Sequence, residues 1–169
     1  MSGSIHPIEE AFASIIPTPT KSATHLGAEC RLPYVDLGDG SAIQLLQVDL
    51  NNGLWISRVR FQPGCTIERH YHTGSVFAVT LEGNWYYKEY PEAINGPGSY
   101  LFEPAGSVHT LTISELATTP ALVWFAVYGA NVNIAADGAV SSIVDAAQVL
   151  AAYRTLAADA DLRELIVID

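Results

Sequence analysis

The chain has 169 residues, enough for one domain with a substantial core, and 49% of them are apolar. A formal net charge of −10 repels phosphate backbones, and no basic run makes a local exception, so nucleic acid is excluded as an expected partner. A slightly positive mean hydropathy argues for a packed β core and a subunit interface rather than disorder.

The opening stretch, MSGSIHPIEEAFASII, carries Glu9 and Glu10 and no basic start, so it does not read as a secretory signal. Residues 1–40 read as an N-terminal arm and edge, with IIPTPTKSAT as an extended segment. The two cysteines, Cys30 and Cys65, form no CxxC and imply no disulfide framework.

From residue 42 the pattern becomes that of short strands. AIQLLQVDL and LWISRVRFQ flank the turn Asn51-Asn52-Gly53, and Pro63-Gly64 ends the second run. TIERHYH, VFAVTLE, NWYYKEY, SYLFE, VHTLTI and ALVWFAVYG follow, separated by Gly- and Pro-bearing turns. Such punctuation predicts an antiparallel sandwich or barrel over residues 42–133. The longest apolar run, ALVWFAVYGANVNI, is broken at Asn131 and is too short to span a bilayer, so a cytoplasmic protein with no membrane contact is expected. Residues 144–160 are alanine-rich. Asp145 followed by Gln148 is a capping-box signature, and Val149, Leu150, Tyr153 and Leu156 recur at helical spacing, which predicts one amphipathic helix on the outside of the barrel.

The chemistry concentrates in PGCTIERHYHTGSVFAVTLEGNW. His70 and His72, two apart on a strand, face the same way, as two ligands of one metal ion must. A His-x-His pair is often two ordinary histidines. His109, after the Pro104-Ala105-Gly106 turn, is the candidate third ligand. Glu68 should share the His70 face at the mouth, with Arg69 facing away. Phe77, Phe102, Leu111 and Trp124 read as core.

These residues resemble the two motifs of the cupin superfamily. Gly64, His70, His72 and Gly83 fit the first motif, and Gly98, Pro104, Gly106 and His109 fit the second, over residues 64–113. Two positions depart. The motif glutamate falls on Val76 and the motif asparagine on Ile113. The resemblance implies an all-β cupin fold, a double-stranded β-helix or jelly-roll barrel, with an N-terminal arm and a C-terminal helix in one domain over 1–169. Loss of the glutamate implies a three-histidine site. Its formal charge on a divalent ion stays at about +2 rather than about +1, and an octahedral ion keeps three open positions.

A narrower resemblance runs through GNWYYKEYPEAINGPGSYLFEPAGSVHTL and into VYGANVNI. It is to the acetylacetone-cleaving dioxygenase and 2,4'-dihydroxyacetophenone dioxygenase families. It implies Fe(II) held by His70, His72 and His109, with Zn, Ni or Cu able to replace iron in isolated protein. It implies C–C cleavage of a small β-diketone or hydroxyketone, bound as a bidentate enolate, with dioxygen as co-substrate. Pairing of cupin edge strands implies a homodimer or higher assembly.

Further catalytic candidates surround the ligands. Alternation along NWYYKEY places Trp85, Tyr87 and Glu89 on one face, with Glu89 a fourth, labile ligand, a base or a surface residue. Glu103 could orient a metal-bound histidine or join a network with Thr110 or Lys88. Two readings from other classes compete. One is a non-enzymatic metal-binding (zinc) regulatory or sensor cupin, which usually carries a separate Cys/His-bearing helical domain. The other is a sugar isomerase cupin, which for a phosphosugar calls for a basic pocket that eight Lys and Arg in the whole chain poorly supply.

Overall fold

The computed structural model describes residues 23–27 and 29–169. The chain divides into two units, Met1–Cys30 and Arg31–Asp169. The described residues of the first contain no helix or strand, and most of the expected arm lies outside the described residues.

The second unit is a β structure in chain order β1 (Val35–Asp36), β2 (Ser41–Asp49), β3 (Leu54–Phe61), β4 (His70–His72), β5 (Val76–Glu82), β6 (Tyr86–Tyr87), β7 (Tyr100–Glu103), β8 (Leu111–Thr112), β9 (Ala121–Tyr128), β10 (Ala130–Ile134), β11 (Val140–Asp145), one helix (Ala146–Leu156) and β12 (Ile166–Ile168). The main sheet runs β1-β2-β3-β9-β5-β7, with β12 added in parallel to β2. A second sheet runs β11-β10-β4, and β6 pairs with β8.

The turn chemistry dictates much of this layout. Asp49 accepts hydrogen bonds from the Asn52 amide and side chain, which closes the β2–β3 hairpin. All four motif glycines, Gly64, Gly83, Gly98 and Gly106, have φ between +69° and +84°, where a side chain is strained. At Gly83 the constraint is double, since a Cβ would also meet the Pro120 carbonyl oxygen at 2.4 Å.

Two apolar clusters fill the interior. Phe61, Cys65, Ala78, Trp85, Leu111, Ile113 and Val123 form one, so Ile113 replaces the motif asparagine with core packing. Leu45, Val48, Trp55, Val76 and Val127 form the other, and the helix closes it with Ala146, Leu150 and Tyr153. Asp145 caps that helix, its carboxylate accepting from the Gln148 amide while the Gln148 side chain accepts from the Asp145 amide. The Tyr153 hydroxyl donates to the Pro33 carbonyl at 2.7 Å. Leu156, expected on the packed face, is 54% exposed, and Ala157 is buried in its place. The buried stripe runs Ala146, Leu150, Tyr153 and Ala157 at spacings of four, three and four, which leaves Leu156 off the packed face.

Three further corrections concern strands. TIERHYH and NWYYKEY form only the short strands β4 and β6. The hairpin β10–β11 and the parallel strand β12 were not anticipated. Phe102 is 52% exposed rather than core, because its neighbours Leu101 and Glu103 take the inward positions on β7 and alternation turns Phe102 out against Phe77. Cys30 and Cys65 are free, and burial pushes the Cys65 thiol up to about 11. No helix among the described residues is long and apolar enough to cross a membrane.

Candidate metal centre

His70 and His72 project from β4 between two supports. On one side β4 pairs with β10, so that His72 lies opposite Asn131 and His70 opposite Asn133. On the other, His70 and His109 exchange both backbone hydrogen bonds, at 3.0 and 2.9 Å. A narrow cross-strand pair thus fixes the third histidine against the first two. The ligand nitrogens of His70, His72 and His109 all lie within 4.8 Å of one another, and the three residues can hold one metal ion. His70 Nδ1 lies 2.6 Å from the Glu68 carbonyl oxygen, which directs Nε2 inward.

The electrostatics suit neutral ligands. Burial drives the imidazole pKa values down, helped by the neighbouring rings, to about 3 for His72 and about 4 for His109. His70 is lowered by the same burial, against the pull of the Glu68 carbonyl. Metal-free imidazoles near neutral pH therefore need lose no proton to bind an ion. The donor set fits one in another respect. Buried polar atoms without a hydrogen-bond partner include His72 Nδ1, His109 Nε2 and Glu103 Oε2, all in this cluster.

Glu103 stands closer to the histidines than alternation alone suggests. It is 4% exposed, with Oε2 at 3.3 Å from His109 Nε2 and 3.7 Å from His72 Nε2. The Tyr87 hydroxyl donates a hydrogen bond to Oε1. Burial pushes the Glu103 carboxyl up to about 7 against the opposing effect of that hydrogen bond, and burial likewise raises the Tyr87 phenol. Tyr87 also lies over the His109 ring, centroids 4.2 Å apart.

The remaining candidates disperse. Trp85 is 1% exposed and donates to Thr80, as part of the core rather than the site. The chain turns after Tyr87, so Glu89 leaves the alternation and is exposed. Its two oxygens accept from the Thr110 amide and hydroxyl, at 2.8 and 2.9 Å. Burial pulls its carboxyl upward, but these hydrogen bonds and others outweigh it and hold the pKa below the ordinary value. Thr110 thus pairs with Glu89, not Glu103. Lys88 is exposed and meets this region through its backbone amide, which donates to the Thr110 carbonyl. Glu68 stands at the mouth and accepts from Ser141.

A cavity of about 330 Å³ opens beside the cluster. His70, His72, Tyr87 and Glu103 form its polar end, while Ile43, Val59, Phe61, Leu111, Phe125 and Val127 make much of the rest apolar, with Asp39, Ser41 and Ser57 also on the lining. Asn131 and Asn133 line it as well, joined by a 2.9 Å hydrogen bond. The sequence reading passed over both. The ANVN alternation beside β4 is the signal that could have found them.

Comparison with known proteins places this geometry. Residues 23–126 match a family described as the ChrR Cupin-like domain. The chain belongs to the ChrR cupin-like family. A cupin-like-fold protein of unknown function from Ralstonia eutropha shares 35% identity over 77% of this chain and 81% of its own, with a TM-score of 0.71. An RmlC-like cupin protein from the same organism shares 19% identity over 82% of this chain and 89% of its own, at a TM-score of 0.75. The acetylacetone dioxygenase of Acinetobacter johnsonii shares 17% identity over 83% of this chain and 96% of its own, at 0.67, a likeness of fold. No curated protein matches the chain.

Proposed function

We propose that this cupin is a non-haem Fe(II)-dependent dioxygenase that cleaves a C–C bond of a small β-diketone or hydroxyketone bound as a bidentate enolate. The observation that carries the reading is the histidine cluster set at the polar end of a mostly apolar cavity of about 330 Å³. That volume suits a small organic molecule. The acetylacetone dioxygenase likeness supports the same class of reaction.

An iron(II) ion held by His70, His72 and His109 would supply Lewis acidity toward chelating oxygens and redox reach to dioxygen. The chain does the rest. Phe61, Phe125 and Val127 exclude water and favour the hydrocarbon part of a ketone. Asn131 Oδ1 is buried without a partner and can accept from a substrate hydroxyl. Tyr87 holds Glu103 in place beside the imidazoles.

The test is oxygen uptake by anaerobically iron-loaded protein against a panel of β-diketones and hydroxyketones, with mass analysis of the fragments. Ketone-dependent uptake with two carbonyl fragments is expected. Iron-loaded protein that consumes no oxygen with any of the panel, while metal-free protein binds zinc tightly, would overturn the dioxygenase and favour a non-enzymatic metal-binding cupin.

A further inference from the structure

We infer that Glu103 is a fourth protein ligand of the metal centre, supplying from β7 the carboxylate that the first motif lacks at Val76. This rests on the histidine cluster holding a metal, and deepens that reading.

The sheet register makes the substitution of position intelligible. Val76 on β5 and Glu103 on β7 are direct antiparallel partners. Opposed residues project to the same face with Cα atoms about 4.5–5.5 Å apart. A carboxylate at 103 therefore enters the same side of the barrel as one at 76 would, from one strand over. Val76 itself is 1% exposed and packs with the helix-side core, so its own position has become apolar.

The distances from Glu103 to two of the three histidines are those of atoms sharing an ion. Two ligand atoms each about 2.1 Å from one metal are about 3.0 Å apart at a right angle and about 3.6 Å apart at 120°. Oε2 lies 3.3 Å from His109 Nε2 and 3.7 Å from His72 Nε2. Oε2 is also the oxygen with no hydrogen-bond partner, while Oε1 is taken by Tyr87. An unpartnered carboxylate oxygen this deeply buried costs stability unless something pairs with it. His109 Nε2, its close neighbour, is equally without a partner, and one ion satisfies both. Glu89 offers no such oxygen, since both of its oxygens are engaged by Thr110. With Glu103 bound, a divalent site carries a formal charge of about +1, and an octahedral ion keeps two open positions rather than three, enough for the two oxygens of the proposed enolate, so that dioxygen would meet the enolate and not an open position on the ion.

The experiment loads the full chain, stripped of metal, with Zn(II) and measures the ion-to-oxygen distances by X-ray absorption and crystallography. Zinc affinity is measured in parallel by chelator competition for wild type, Glu103→Gln and Glu89→Gln. A Glu103 oxygen at about 2.0–2.2 Å from zinc is expected, with at least tenfold weaker binding in Glu103→Gln and less than twofold change in Glu89→Gln. Loss of an outer-shell partner can also weaken binding 10–100-fold, so the distance in wild-type protein decides. Zinc bound by the histidines with both Glu103 oxygens beyond about 3 Å overturns the assignment while leaving the metal centre intact. Wild-type protein that takes up no zinc overturns the metal reading and Glu103's role with it.

Discussion

Metal-free protein should be penalised by its own site, and Glu103→Gln should relieve the penalty in a pH-dependent way. Burial raises the Glu103 carboxyl from 4.5 to about 7. At about 1.36 kcal/mol per tenfold change in proton affinity, holding it ionised costs roughly 3 kcal/mol. Its side chain is 5% exposed, so solvent screening reduces this little. The direction follows from linkage. Below pH 4.5 folded and unfolded chains both keep the proton, and there is no penalty. Between 4.5 and about 7 the unfolded chain releases it first, so stability falls as pH rises, and above about 7 the whole penalty is present. Glutamine has no such titration, and its carbonyl can still accept from Tyr87. His72 and His109, lowered to about 3 and 4, move stability the other way, raising it as pH climbs toward 6.5. That change is common to both proteins and cancels in the difference. Urea unfolding in the presence of a chelator should therefore show Glu103→Gln equal to wild type near pH 4 and about 3 kcal/mol more stable at pH 8. Saturating zinc should shrink or reverse the gap, since an ion that binds only the folded state stabilises the tighter binder more. A gap that stays constant from pH 4 to pH 8 would refute the reasoning.

Other expectations follow from single contacts. His72→Ala should lose most of the bound metal by elemental analysis, and wild-type content in that variant would sink the ligand assignment. Val76→Glu sets a second carboxylate beside Glu103 in buried space and should lower metal-free stability by about 2–4 kcal/mol; combined with Glu103→Val, the carboxylate is relocated and zinc affinity should recover toward wild type. Leu150→Ala, which empties the helix contact with the β2 side of the core, should cost about 2–5 kcal/mol by denaturant unfolding. The homodimer proposed for this cupin has a candidate face at β7, which ends the main sheet among the described residues and exposes Tyr100 by 65% and Phe102 by 52%. Light scattering should show a dimer that a Tyr100→Lys, Phe102→Lys double variant splits, and a monomeric wild type at micromolar concentration contradicts it.

Much of the fold was legible because its signals are local. Glycines forced to positive φ mark strand ends wherever they occur, and Gly64, Gly83, Gly98 and Gly106 all do so. The Asp145–Gln148 box announces the helix start by its own chemistry. What escaped is non-local or weakly patterned. β11 reads VSSIVD and is exposed along most of its length, so no apolar alternation marks it. β12 exists because it adds in parallel to β2, more than a hundred residues earlier. Alternation failed at Glu89 because the chain turns after Tyr87, whereas at Leu156 the helical period holds and the buried stripe of Ala146, Leu150, Tyr153 and Ala157 passes one residue beyond it.

Position 76 shows how far a motif can be trusted. The first cupin motif counts residues along the chain, from β4 across a turn into β5, and by that count a valine replaces the carboxylate. A metal site does not count along strands. It requires donors of suitable charge within about 2 Å of a point, and a paired strand can deliver one there as well as the original. The pairing of Val76 with Glu103 is set by β-sheet register, which appears nowhere in the spacing of either motif. The sequence marks Glu103 as a carboxylate beside a turn, while its reach to His109 and His72 depends on which residue it faces. A site described by spacing as three histidines is, by contacts, three histidines with a carboxylate against two of them, His72 and His109. Under the proposed Glu103 ligation, that difference of about one unit of formal charge bears on which metal the site prefers and how many positions remain for the proposed chemistry.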